Sequence, residues 1–139
     1  MAAFNKFNSF VESVAEKTHN LGSDTLKVAL TNTAPVATNT VFANITEIAA
    51  GNGYSAGGTA SAQVSSAQSS GVYKLVLTDV VFTASGGSIG PFRYIVLYND
   101  TAASDELIGY YDYGTNVTVT TGNTFTVDFD GSGGVLTIT

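Results

Sequence analysis

From Thr25 onward the chain is a succession of short apolar or alternating runs, each closed by Gly, Pro, Asn or Asp, and this punctuation constrains the fold more than any other feature. TLKVALTN (25–32) places Leu26, Val28 and Leu30 on one face of a strand, and Pro35 ends its pairing. VYKLVLTD (72–79) alternates Val72, Lys74 and Val76 against Tyr73, Leu75 and Leu77, and VVFTA (80–84) continues or bends it. FRYIVLYN (92–99) is the most apolar run and reads as a central strand buried on both faces. LIGYYDYG (107–114) is an aromatic strand. NVTVTT (116–121) and NTFTVDFD (123–130) read as a hairpin across Gly122-Asn123, and VLTIT (135–139) closes the chain. Two segments are weaker: TVFANITEIA (40–49) fits a short strand or a helical turn, and TASAQVSSAQ (59–68) a thin strand of small residues. About eight or nine short strands, with turns every 8–12 residues, predict a mainly β chain: an antiparallel β-sandwich of jelly-roll type. Strands never alternate with helices, which argues against a doubly wound sheet.

One segment has a different period. In FNKFNSFVESVAEKTHN the apolar residues Phe4, Phe7, Phe10, Val11, Val14 and Ala15 recur at three- and four-residue spacing, opposite Lys6, Glu12, Glu16 and Lys17. The spacing predicts one N-terminal amphipathic helix of roughly four turns, stopped by Asn20 and Gly22. The expected organisation is a single domain over 1–139, with the helix in 1–20 and the β-sandwich in 25–139.

Composition then limits what such a domain does. Charged residues make up only 12 % of the 139 residues, against about 25 % in ordinary domains. The surface is therefore covered by Thr, Ser, Asn, Gly and Ala, which suits packing against neighbours. The net charge is -6, and the five basic residues, Lys6, Lys17, Lys27, Lys74 and Arg93, are scattered. No phosphate-neutralising patch can form from them, so nucleic acid and anionic membranes are not expected partners. There is no cysteine, which removes disulfides, thiolate nucleophiles and zinc-thiolate sites. MAAFNKFNSF lacks the pattern of a secretory signal and no apolar run is long enough to span a bilayer, so the expected place of synthesis is a cytoplasm.

The motifs that could carry chemistry are few. EIAAGNGYSAGGTA (47–60) contains G-x-G-x-x-A from Gly51 to Ala56, close to the dinucleotide fingerprint. That fingerprint needs a helix starting at the glycines, and here a β-like run follows, so the reading is a wide turn in which Tyr54 plugs onto the core or a neighbour. DFDGSG (128–133) matches the first half of a calcium loop, but the twelfth position is Thr139 rather than a bidentate Glu, which favours a plain turn. The one histidine, His19, sits at the expected helix end, where a cation meets the helix dipole. No G-x-S-x-G selects a nucleophilic serine. Asp112 is placed to pair with Arg93, and Tyr110, Tyr111 and Tyr113 suit an interface or, less well, stacking on sugar rings. Sequons at Asn44, Asn99 and Asn116 read as polar turn and strand-end residues. No catalytic, cofactor-binding or metal-binding residue is assigned, and an enzyme is not expected.

Taken together, FNKFNSFVESVAEKTHNLGSDTLKVALTNTAP, NITEIAAGNGYSAGG, GPFRYIVLYND and TVDFDGSGGVLTIT resemble a group of small virion structural proteins encoded by tailed bacteriophages. The resemblance covers nearly the whole chain and implies a place on a virus particle. For a small β-rich protein it implies a capsid decoration, or cement, protein on the outside of the shell. Such a protein would be made in the host cytoplasm, would form a dimer or trimer, and would have the major capsid protein as its partner. A tail or fibre module that binds a host-surface glycan is the alternative. The expected contact residues are Phe4, Phe7, Phe10, Val11 and Val14 of the helix stripe, with Tyr54, Tyr110, Tyr111 and Tyr113. The glycine loop either folds back on its own domain or reaches across a particle seam.

Overall fold

A computed structural model describes residues 2–139. The strands are Asn5–Lys6 (β1), Leu26–Thr31 (β2), Thr59–Ser61 (β3), Gln63–Ser69 (β4), Val72–Leu77 (β5), Val80–Thr83 (β6), Ile89–Asn99 (β7), Leu107–Val119 (β8), Thr124–Val127 (β9) and Leu136–Ile138 (β10). One short α-helix, Phe10–Ala15 (α1), and a 3-10 turn at Phe42–Asn44 complete the regular structure. The strands form three sheets, in the orders β1-β8-β7-β2-β3, β10-β5-β4 and β6-β9. Every pairing is antiparallel. The chain is thus mainly β with antiparallel sheets, an arrangement consistent with a β-sandwich.

The alternation of apolar residues sorts side chains to two sides of the five-stranded sheet. Leu26, Val28 and Leu30 of β2, with Ile95 and Leu97 of β7, meet Leu75, Leu77, Phe82, Val127 and Leu136 of the two smaller sheets in one core cluster. On the opposite side Ala29, Val96, Tyr98 and Leu107 form a second cluster under Phe7, Phe42 and Ile45. Phe42 stacks on the Tyr98 ring at 4.1 Å. The expectation that FRYIVLYN is buried on both faces therefore holds: Ile95, Val96, Leu97, Tyr98 and Asn99 are all buried. Each large apolar side chain so placed contributes about 1.5–3 kcal/mol.

The N-terminal segment departs from expectation. The predicted four-turn helix over 1–20 is a helix of six residues preceded by a short strand. Asn5 and Lys6 pair with Tyr110 and Gly109, which keeps this part of the backbone extended. The three phenylalanines do not form one stripe. Phe7 enters the second cluster, while Phe10 lies in the main core and Phe4 packs against it, 5.7 Å from the Tyr111 ring. Helical spacing in the sequence is here produced by a strand followed by a turn and a short helix. The helix stops early because Lys17 adopts a positive φ of 67°. Thr18 N–H then donates to the Ser13 carbonyl at 2.8 Å and Lys17 N–H to that of Val14 at 3.4 Å, a Schellman-type end with lysine where glycine is usual.

A second correction concerns the hairpin expected across Gly122-Asn123. β8 and β9 do not pair with each other: β8 pairs with β7 and β9 with β6. Gly122 and Asn123 instead bond to both sides of Ala84, so the turn hands the chain from one sheet to another. The run 59–68 likewise divides into β3 and β4, which belong to different sheets. The ambiguous segment 40–49 holds the 3-10 turn between single bridges at Val41 and Glu47.

Candidate functional site

The glycine loop is the feature with the most chemistry in the sequence, and its geometry is specific. Gly51 N–H donates to the Tyr54 carbonyl at 2.8 Å and Tyr54 N–H to that of Gly51 at 3.0 Å. Asn52 and Gly53 between them have φ of 58° and 100°. Two central residues with positive φ, as Asn-Gly, are the pattern of a two-residue hairpin turn. Gly53 lies against the Thr83 carbonyl and Gly58 against that of Val28, leaving no room for a Cβ at either position. Tyr54 is buried, its ring 5.7 Å from Phe82. Its Oη donates to Glu47 Oε2 at 2.7 Å and accepts the Leu30 N–H at 3.0 Å. Glu47 Oε2 also accepts the Gly57 N–H at 2.6 Å, and Tyr98 Oη donates to the Gly57 carbonyl at 2.6 Å.

This network completes the edge of β2. β3 pairs only with Leu26–Val28. Beyond it, Tyr54 Oη takes the Leu30 N–H, Ile48 N–H donates to the Leu30 carbonyl, and Thr31 bridges Glu47. Buried backbone groups that would otherwise be orphaned are thus satisfied. Burial, followed by the bond to Glu47, pushes the Tyr54 hydroxyl far above its ordinary value, so it remains a donor. A carboxylate already occupies the Gly57 N–H, which leaves that group unable to bind phosphate. Of the two roles open to the loop, the structure shows the first: it folds back on its own domain.

The DFDGSG turn is also internally committed. Asp130 Oδ1 accepts the Ser132 and Gly133 N–H groups at 2.8 and 2.7 Å. These bonds, Gly133 first, hold its carboxyl below the ordinary range. Lys74 Nζ donates to the Ser132 carbonyl at 2.8 Å, which brings a positive charge onto this turn. Phe129, between the two acids, is buried, and its N–H donates to Asp79 Oδ1 at 2.9 Å. Among the described residues no three His, Asp or Glu side chains are grouped to hold a metal ion.

The candidate contact residues fall into three groups. Phe7, Phe10, Tyr54 and Tyr111 are buried within this chain and offer no free surface. Burial pushes the Tyr111 hydroxyl up to about 12. Phe4, Val14 and Tyr110 are half-buried. Val11 and Tyr113 are exposed, at 55 % and 51 %. Sequence spacing could not make this division, because it rests on which distant segments come to cover each residue: both sides of the five-stranded sheet hold buried and half-buried members. The contact residues still open to a neighbour are joined by Val36, Val64 and Val81, all more than half exposed, which the strand pattern did not single out. Beside Tyr113, a shallow apolar groove is lined by Tyr111, Phe125, Val127 and Ala2. The expected Arg93–Asp112 pair is present and bidentate, at 2.8 and 3.1 Å.

His19 does not end the helix. It lies beyond it, buried, in a polar cluster with Asn99 and Asp24. Asn99 is fully buried, so this sequon residue serves the fold. Sequence reasoning missed both Asn99 and Glu47. The available signals were an Asn at a strand end before a turn, and a single acid flanking a long uncharged run.

Among the described residues no helix is long and apolar enough to cross a membrane. Compared with protein-family models, curated proteins and solved structures, the chain matches none.

Proposed function

We propose that this chain is a bacteriophage virion structural protein of the capsid decoration type, a structural protein and not an enzyme. It binds the outer surface of the shell, with the major capsid protein as partner, as a dimer or trimer. The observation that carries the reading is the surface: charge-poor, with Val11, Val36, Val64, Val81 and Tyr113 each more than half exposed. Large apolar side chains among small polar ones bury against a neighbour at low desolvation cost. Each copy contributes about 25 cal/mol per Å² of apolar area buried, less its association cost. Repetition over a symmetric shell makes a modest contact strong. The resemblance of 4–35, 44–58, 90–100 and 126–139 to tailed-phage virion proteins supports the same reading. An outer position suits a net charge of -6, since the protein need not touch packaged DNA.

The jelly-roll assignment belongs to this proposal. What supports it is the antiparallel pairing of strands distant in sequence, β1 with β8 and β2 with β7; both pairs lie in one sheet, and this, with the division into five, three and two strands, is where it departs from two equal sheets. A tail or fibre module that binds a glycan is the rival. The observation that favours it is the Tyr113 ring beside an apolar groove, a ledge on which a sugar ring could stack.

Stripping and add-back test the decoration reading. Mild chaotrope should remove the protein from filled heads, the heads should then burst on heating, and purified protein added back should restore them. Heads that withstand heating equally well without it would overturn the reading.

A further inference from the structure

His19 is the only histidine of the chain, and its surroundings fix the state of its ring. Asn99 Nδ2 lies 3.0 Å from His19 Nδ1 and donates its other hydrogen to Asp24 Oδ2 at 2.7 Å. Asn99 Oδ1 accepts the Thr101 and Ala102 N–H groups at 2.9 and 3.1 Å. The Asn99 amide therefore cannot flip without losing both turn bonds, and it presents a hydrogen, not a lone pair, to the imidazole. His19 Nδ1 must accept, and the ring proton sits on Nε2, a buried atom without a partner among the described residues.

We propose that the His19–Asn99–Asp24 cluster is an acid-sensitive latch that holds the 16–24 turn against the end of the five-stranded sheet and releases it when His19 takes up a second ring proton. That proton would go to Nδ1 and face the Asn99 N–H at hydrogen-bond distance. The resulting cation would be buried, with the Phe10 ring 5.5 Å away on the α1 side. The groups facing it are Asp24 from its own turn, Glu106 from the approach to β8, and Lys17 and Tyr73 across the adjoining groove. The two acids attract an imidazolium, but desolvation outweighs them and holds the ring below its ordinary value of 6.5. The folded state therefore binds fewer protons than the unfolded chain. The latch contributes fully above about pH 6.5 and is lost as pH falls through the lowered value.

Release has a defined extent. Phe7 N–H remains bonded to the Ile108 carbonyl and Asn5–Lys6 to β8, so the first strand stays in place. The turn is otherwise tied through Leu21 and Asp24, whose carbonyls accept from Gln63 Nε2 at 3.0 and 2.7 Å. Opening it would widen the groove over Val14, Leu21, Tyr73 and Ile138, exposing apolar surface only in acid.

Two measurements test the latch. Nitrogen-15 shifts of the His19 ring at neutral pH should report the proton on Nε2; a proton on Nδ1 would overturn the proposal. Amide protection factors of Thr18, His19, Ser23 and Asp24, whose N–H groups bond to Ser13 and Asn20 carbonyls, should then be followed into acid. As pH falls from neutral through the lowered His19 value they should fall, while β2 and β7 amides hold. His19→Gln keeps an acceptor for Asn99 without titrating, and its protection should stay level over the same interval. Level protection in the natural chain, or an equal fall in His19→Gln, would refute the latch. The ring shifts need no variant and decide the tautomer even if His19→Gln folds poorly.

Discussion

Replacing Tyr54 by Phe removes one oxygen and leaves two partners of the glycine-loop network without it. The ring keeps its packing against Phe82. Two partners lose their bonds: the Leu30 N–H, on a fully buried strand residue, and the Glu47 carboxylate. An orphaned buried N–H costs about 1–3 kcal/mol and a lost bond to a charged acceptor about 1.5–3 kcal/mol. Glu47 retains the Gly57 N–H, and the two effects share one network, so they do not simply add. The expected loss is about 3 kcal/mol. For a chain of this size about 3–4 °C of Tm follows each kcal/mol, giving a fall of about 10 °C. Calorimetry at neutral pH, with urea unfolding to check that m is unchanged, measures it. Tyr113→Phe, on an exposed ring, is the control and should leave Tm where it is. A Tyr54→Phe protein within about 0.5 kcal/mol of the natural one would refute the claim that this hydroxyl anchors the loop and completes the β2 edge.

Other consequences are separable from this one. Gly58→Ala puts a Cβ onto the Val28 carbonyl at a φ of 78° and should destabilise by about 3 kcal/mol or more, whereas Gly131→Ala, in open space, should be close to neutral in thermal melts. The depressed Asp130 carboxyl stabilises its turn above its ordinary value of 3.8 and ceases to as pH falls through the lowered one, so Ser132 and Gly133 amides should lose protection there in hydrogen exchange. Changing Val11, Val64 and Tyr113 together to Ser should leave Tm nearly unchanged yet weaken retention on particles in a sedimentation assay, because these side chains are exposed in the single chain.

What the sequence disclosed follows the range of the forces involved. Period-two alternation is local, so β2, β5 and the doubly buried β7 were legible from their residues. Sheet partners are not local, and the Gly122-Asn123 turn shows the limit: a hairpin signal joins strands that pair elsewhere. Phe4, Phe7 and Phe10 show another, since a short strand followed by a turn imitates helical spacing while sending Phe7 to the far side of the sheet. In the loop, Asn52-Gly53 carried a hairpin signal that the wider G-x-G-x-x-A pattern obscured. Asn99 is not legible because its partner His19 arrives from a distant turn, and neither is Glu47, because the irregular loop that brings Tyr54 and Gly57 back onto it has no periodicity to read.

The central claim, a decoration protein on a viral shell, makes a statement about stoichiometry. On the proposed role, quantitative mass spectrometry of purified phage particles whose genome carries this sequence, with the major capsid protein as internal standard, measures it directly. A copy number in fixed proportion to the shell subunits, in the hundreds per particle, is the predicted result. A tail-like number of a few to dozens, or no protein in the particle, would contradict it.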